Sequence, residues 1–361
     1  MPDQDWRLLS SGVDSLYFSA SGHVSEGFMA SLGKLQGAGA AGEEVASTFA
    51  CDGAPFLLKG HGLRGYPYWL TAAGYDLMIG KSEPWPPVKA ELRSWFLHSL
   101  GAEAAVGELC SRLEGDVFDG PVVLIPSRID VCADIQGWRP HHADFQRFVC
   151  RARYRELHQP DAELHGFGNE VSGFTFGKGA VVARIYNKTL EQTVHRDTGA
   201  SLLWGDYDRD QPVWRIEFQF RRKALIELQV PDGPGVLNGR QGLWRYGTDW
   251  LSLRQRSSHQ KPSRWPEDPL WPWLRSLAIG LPCNPLIRRR IREANLSRVV
   301  SGLVGYLSSL GALTQTDDMV RVMNNALVLG LRYVDERGVP FDRLVNRKAA
   351  RHAAVWGETA L

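Results

Sequence analysis

Arg128-Ile129-Asp130-Val131-Cys132-Ala133-Asp134 alternates residue by residue between charged or polar and apolar side chains. Side chains of a strand point to opposite faces in turn, so Ile129, Val131 and Ala133 share one face and Arg128, Asp130, Cys132 and Asp134 the other. Two later segments repeat the pattern. In Ala183-Arg184-Ile185-Tyr186-Asn187-Lys188, the residues Arg184, Tyr186 and Lys188 oppose Ala183 and Ile185. In Trp214-Arg215-Ile216-Glu217-Phe218-Gln219-Phe220, the residues Arg215, Glu217 and Gln219 oppose Ile216, Phe218 and Phe220. Laid side by side, such strands give one sheet face carrying three carboxylates, a tyrosine and several cations.

Outward from these segments the chain reads as two related cycles. The first holds strand-like Val13–Ser19, Phe56–Lys59, Tyr68–Thr71 and Asp76–Gly80, then a helical pattern from Pro87 to about Leu113. The second starts at Val122 and predicts a helix around Asp144–Tyr154. A hairpin across Lys178-Gly179, a helix from Thr189 and a strand over Val213–Phe220 follow. The likeness of Asp14-Ser15-Leu16-Tyr17-Phe18 to Asp130-Val131-Cys132-Ala133-Asp134 points to an internal duplication in which the second copy keeps the full polar set. Residues 257–272, punctuated by proline, read as a linker, and Leu296–Leu313 and Asp317–Arg337 read as helices, with Asp317 as an N-cap and Gly311 or Gly338 as stops. The expected architecture is α+β. It has a central mixed or antiparallel sheet and a helical C-terminal region, divided as 1–118, 119–256 and 257–361.

Composition bounds the function. The 361 residues, 43% hydrophobic and 23% charged with a net charge of +2, are ordinary for a globular protein. No run approaches the roughly 18 apolar residues of a membrane span, and Met1–Trp6 lacks the signature of a secretory signal. A cytoplasmic location without membrane contact is the expectation. Cys51, Cys110, Cys132, Cys150 and Cys283 form no Cys-x-x-Cys pair and read as thiols in the interior. Basic residues gather in Arg215–Lys223 and in Arg288-Arg289-Arg290-Ile291-Arg292, a footprint suited to phosphates.

The polar face suits transfer of a phosphodiester to tyrosine. That chemistry needs an in-line phenol, loss of its proton, cations on the phosphoryl oxygens and a divalent metal held by hard oxygen ligands. Tyr186 supplies the phenol, Arg184 and Lys188 flank it, Asp130, Asp134 and Glu217 supply a metal cage, and Arg215 a further clamp. Competing readings are an ordinary strand aromatic at Tyr186, a loop start at Asp134 and cross-strand Arg/Glu pairs of purely structural value. No His-hydrophobe-His triplet offers a rival metal site: His141 and His142 are adjacent, and His158 and His165 sit in loop-like sequence. A Walker-type loop is absent, since Gly166-Phe167-Gly168 lacks the glycine and lysine that would follow.

In this order and spacing, Arg128–Asp134, Arg184-Ile185-Tyr186-Asn187-Lys188-Thr189-Leu190-Glu191 and Trp214–Phe220 resemble the replication initiation factor family, clearest over residues 120–228. These are rolling-circle plasmid and phage initiators and related relaxases of conjugative elements. The resemblance implies metal-dependent nicking and rejoining of DNA, with Mg²⁺ or Mn²⁺, through a 5′-phosphotyrosine. It places the nucleophile at Tyr186, acidic metal ligands at Asp130 or Asp134 with Glu217, and basic partners at Lys188 and Arg215. DNA contacts are expected at Arg184, Arg221 and Arg222. It further implies a single-stranded or hairpin origin, a host helicase and a homodimer as partners. A relaxase of the same chemistry and a non-catalytic origin-binding regulator are the alternatives.

Overall fold

Arg128–Asp134 falls within a strand of 14 residues, and the strand order places it at the middle of the main sheet. The computed structural model describes residues 5–39, 42–80, 86–158, 171–195, 200–282, 285–289 and 296–346. Its strands are β1 (Arg7–Ser21), β2 (Val45–Thr48), β3 (Pro55–Leu58), β4 (Tyr68–Ala72), β5 (Tyr75–Ile79), β6 (Val88–Leu92), β7 (Val123–Gln136), β8 (Phe148–Cys150), β9 (Arg155–His158), β10 (Gly173–Phe176), β11 (Val181–Asn187), β12 (Trp214–Arg221) and β13 (Leu251–Leu253). The helices are α1 (Glu26–Ala38), α2 (Ser94–Leu100), α3 (Ala102–Arg112), α4 (Lys188–His195), α5 (Arg222–Glu227), α6 (Arg240–Trp250), α7 (Leu270–Ser276), α8 (Leu296–Leu313) and α9 (Met319–Glu336).

Eleven strands form one sheet in the order β2-β3-β4-β5-β6-β1-β7-β12-β11-β10-β9, and every neighbouring pair is antiparallel. β8 and β13 make a separate ribbon. Each half follows one plan: a long first strand, then a meander whose last strand returns to pair with the first, β6 on β1 and β12 on β7. The two long strands pair with each other at the centre, from Arg7↔Gln136 to Ser21↔Val123. The α+β architecture with C-terminal helices is as expected, and the duplicated plan is visible in the topology.

Leu16, Phe18, Ile129, Val131, Ala133, Ile216, Phe218 and Phe220 are completely buried on the apolar face. α6 covers part of it: Trp244 meets Phe218 edge-on with ring centroids 5.4 Å apart, and Tyr246 meets Phe220 at 6.1 Å. Phe148, Phe174 and Phe176 cluster with Trp271 of α7, which is fully buried.

Two expected helices differ. Residues 88–92 form β6, and the helix begins only at Ser94. Val88, Leu92, Phe96 and Leu100 are spaced by four, which fits a helical face and the period of a strand equally, and the buried Ala90 between them decides for the strand. Around Asp144–Tyr154 the chain makes a short turn, His142–Gln146, and then β8, because Phe148 is drawn into the aromatic cluster.

Contacts divide the chain into units 1–288 and 289–361. One sheet therefore spans residues 1–118 and 119–256, and residues 257–276 pack within the first unit through Trp271 and Leu274. In the second unit α8 and α9 pair, with Leu307 and Val322 buried. Asp318, one residue beyond the expected Asp317, caps α9 by accepting from the backbone N–H of Val320 at 2.9 Å. Gly338, at φ +60°, follows the end of α9 in the left-handed conformation that favours glycine. His165, Gly166–Gly168, Cys283 and Arg290–Arg292 lie outside the described residues. No helix among those described is long and apolar enough to cross a membrane.

Candidate active site

The register lines up the polar residues of β7, β12 and β11 in rows: Asp134↔Arg215↔Tyr186, Cys132↔Glu217↔Arg184, and Asp130↔Gln219. All three motifs thus meet on one face. The Tyr186 hydroxyl donates to Glu217 Oε2 at 3.3 Å. Arg184 donates to Glu217 Oε1 at 2.8 Å and to Gln219 Oε1 at 2.8 Å. Its guanidinium also stands 4.0 Å from the Asp130 carboxylate. Asp130 accepts from Arg128 Nε at 2.8 and 3.0 Å, and Arg128 in turn lies over the Tyr17 ring.

The Tyr-Asn-Lys motif has a local logic. β11 ends at Asn187, whose side chain accepts from the Leu190 N–H at 3.0 Å and so starts α4. Lys188 is consequently the first residue of a helix and not a strand residue as expected. Its ammonium sits 5.7 Å from the centre of the Tyr186 ring and pairs with Glu191 at 2.7 Å.

Asp134 and Arg215 depart from their expected roles. Arg215 has no exposed surface, and its guanidinium binds Asp134 through Nε at 2.6 Å and Nη2 at 2.7 Å, with a third bond to Asp14. Trp204 Nε1 donates to Asp134 Oδ2 at 2.8 Å. Both Asp134 oxygens are thus engaged by a buried cation and an indole, which hold the carboxylate in place. Arg215, enclosed by its acidic partners, is no phosphate clamp. Arg221 is exposed at the end of β12, in register with Arg128, and Arg222 opens α5 paired with Asp232.

Sequence reasoning missed Asp14, His98 and Trp204. The β1–β7 register slips between Val13 and Ser15, and a bulge of this kind re-aims a side chain. Asp14 thereby reaches Arg215 and the Ser94 hydroxyl, 2.8 Å away. Its position in Asp14-Ser15-Leu16-Tyr17-Phe18, likened above to β7, was the available signal.

Burial and mutual repulsion set the electrostatics. Burial, then the charges of Asp14 and Asp130, push the Glu217 carboxyl up to about 8 against Arg184 and Arg215. Burial also raises Asp130, despite Arg128. At Asp14 burial acts upward too, but Arg215 and Ser94 outweigh it and the carboxyl lies below its ordinary value. Burial, then the Glu217 charge, holds the Tyr186 phenol well above its ordinary value. A divalent cation would relieve the strain shared by Asp130 and Glu217, and their hard oxygens suit Mg²⁺ or Mn²⁺, which commonly bind through one or two carboxylates plus phosphate. A groove of about 510 Å³ opens beside the phenol, lined by His158, Gly173, Thr175, Arg184, Tyr186 and Asn187 among others.

No family model and no curated protein matches the chain. Among solved structures, a rolling-circle replication initiator protein from Geobacillus stearothermophilus is similar to it, at 17% sequence identity and a TM-score of 0.42, over 75% of this chain and 98% of that one.

Proposed function

We propose that this protein initiates rolling-circle replication by nicking one DNA strand and holding the 5′ phosphate on Tyr186 until the ends are rejoined. The observation that carries the reading is the contact of the Tyr186 hydroxyl with Glu217, beside Asp130 and Arg184 and at the edge of an open groove. Attack by the phenol oxygen forms a phosphorus–oxygen bond and breaks the bond to the 3′ oxygen, which takes a proton from solvent as it leaves. The phenol proton passes to Glu217, its hydrogen-bond acceptor, when that carboxylate is ionised. Arg184 and Lys188 are the cations that would neutralise the negative charge growing on the phosphoryl oxygens. Mg²⁺ or Mn²⁺ held by Asp130 and Glu217 would supply further charge neutralisation there. Storing the bond energy in the phosphotyrosine lets the strand be rejoined without a nucleotide cofactor. Arg221 and Arg222 extend the cationic surface for the DNA backbone. An origin hairpin, a host helicase and a second copy of the chain are the partners that belong to this reading.

The test uses end-labelled single-stranded oligonucleotides tiled across the DNA flanking the gene, incubated with protein and Mn²⁺ and run on a denaturing gel. A protein–DNA adduct is expected, lost in Tyr186→Phe while oligonucleotide binding persists. An adduct that survives Tyr186→Phe would place the nucleophile elsewhere.

A further inference from the structure

A second donor cluster lies on the same sheet face, at the seam between β1 and β7. Asp14, His98 and Cys132 each offer a ligand atom, and these atoms lie within 4.8 Å of one another, the sole such group among the described residues. Three elements build it: the bulge of β1 supplies Asp14, α2 supplies His98 and β7 supplies Cys132. Gly12 stands opposite Cys132 in register, and a Cβ there would come within 3.2 Å of His98 Cε1, so glycine makes room for the imidazole.

The donors have unspent bonding capacity. His98 Nε2 is buried without a hydrogen-bond partner, a costly state for a polar atom. Asp14 commits Oδ1 to Arg215 and Ser94, whereas Oδ2 meets only the Ser15 hydroxyl at 3.4 Å. Cys132 is a free thiol with 1% exposure. Burial, then Arg215, lowers the His98 imidazole below its ordinary value, and burial pushes the Cys132 thiol well above its own.

We propose that Asp14, His98 and Cys132 form a site for a borderline transition metal, Zn²⁺ by preference, with a fourth position left open. One sulfur, one nitrogen and one oxygen donor match the ligands of four-coordinate zinc and disfavour Mg²⁺. Binding forms the metal–sulfur bond and releases one proton, from the Cys132 thiol, to solvent. The site shares no ligand with Asp130 and Glu217 and stands whether or not the chain cuts DNA.

The test is metal binding by the full chain without DNA. Chelator-stripped protein is titrated with Co²⁺ and its absorption recorded, and Zn²⁺ stoichiometry is read by native mass spectrometry. One metal per chain is expected, with a near-ultraviolet thiolate-to-cobalt band. Cys132→Ser abolishes the band and His98→Gln weakens Co²⁺ binding at least tenfold, while Cys51→Ser and Cys110→Ser leave both unchanged. Zn²⁺ also raises the melting temperature of the wild type but not of the folded Cys132→Ser and His98→Gln variants. Absence of the band in the wild type, a reading that needs no variant to fold, overturns the proposal, as does a band that persists in Cys132→Ser.

Discussion

The Tyr186 hydroxyl reaches Glu217 diagonally, since Tyr186 is in register with Arg215 and Glu217 with Arg184. Diagonal neighbours on adjacent strands stand about 7 to 8 Å apart at the backbone, within reach of a long side chain. The phenol therefore leans along the sheet toward Asp130 and away from the closed Arg215–Asp134 pair. The Glu217–Arg184 pair and the Arg215–Asp134 pair lie in adjacent residue rows.

That separation makes the two aspartates behave oppositely. Asp134→Asn leaves the enclosed Arg215 short of an anionic partner and is expected to cost about 3 kcal/mol of stability. Asp130→Asn removes a carboxyl that burial already disfavours, and its partner Arg128 retains access to water, so a smaller loss than for Asp134→Asn is expected. Adduct yield should follow the reverse order relative to folded protein, with Asp130→Asn the more damaging. Urea unfolding alongside the gel assay measures both, and equal stability losses would contradict the division of roles.

Glu217 gives stability a pH dependence of unusual sign. Its folded-state value of about 8 lies above that of an unfolded glutamate, so between about 4.5 and 8 the native state binds more protons than the unfolded one. Stability in chelator consequently falls as pH rises through this window, by on the order of 3 kcal/mol by neutral pH. Glu217→Gln should flatten the slope. So should millimolar Mn²⁺ in the wild type if Glu217 is a metal ligand. Unfolding midpoints from pH 5 to pH 8, with and without Mn²⁺, provide the comparison.

The rim arginines differ in how far they are already neutralised. Arg221 is exposed, whereas Arg222 pairs with Asp232. If both face the DNA backbone, Arg221→Ala should lower the slope of log affinity against log salt by about 0.7, the value for one phosphate on a single strand. Arg222→Ala should lower it by less, because Asp232 already shields that charge. Fluorescence anisotropy across a salt series reads the difference, and an unchanged slope in Arg221→Ala removes that residue from the interface.

Strand alternation alone sufficed to bring Asp130, Tyr186, Glu217 and Arg184 to one face, because period-two patterning encodes facing directly. Cross-strand partners are not encoded that way. That Arg215 would meet Asp134 and not a phosphate depends on register, which one strand's sequence does not reveal. Asp14 was hidden by a bulge, which breaks the alternation on which the reading relied. Lys188 begins α4 and does not continue β11, because the Asn187 side chain turns the chain into a helix there.

The border between β1 and β7 has a consequence for how the molecule can be divided. Each half contributes its longest strand there, so a fragment ending near residue 118 or starting near residue 119 would carry an uncapped ribbon of backbone donors and acceptors. Expressed singly, such pieces tend to stick to copies of themselves; supplied together, they present matching halves of one seam. Two such fragments mixed together are expected to pair along this seam, since each exposes the edge that the other covers in the intact chain.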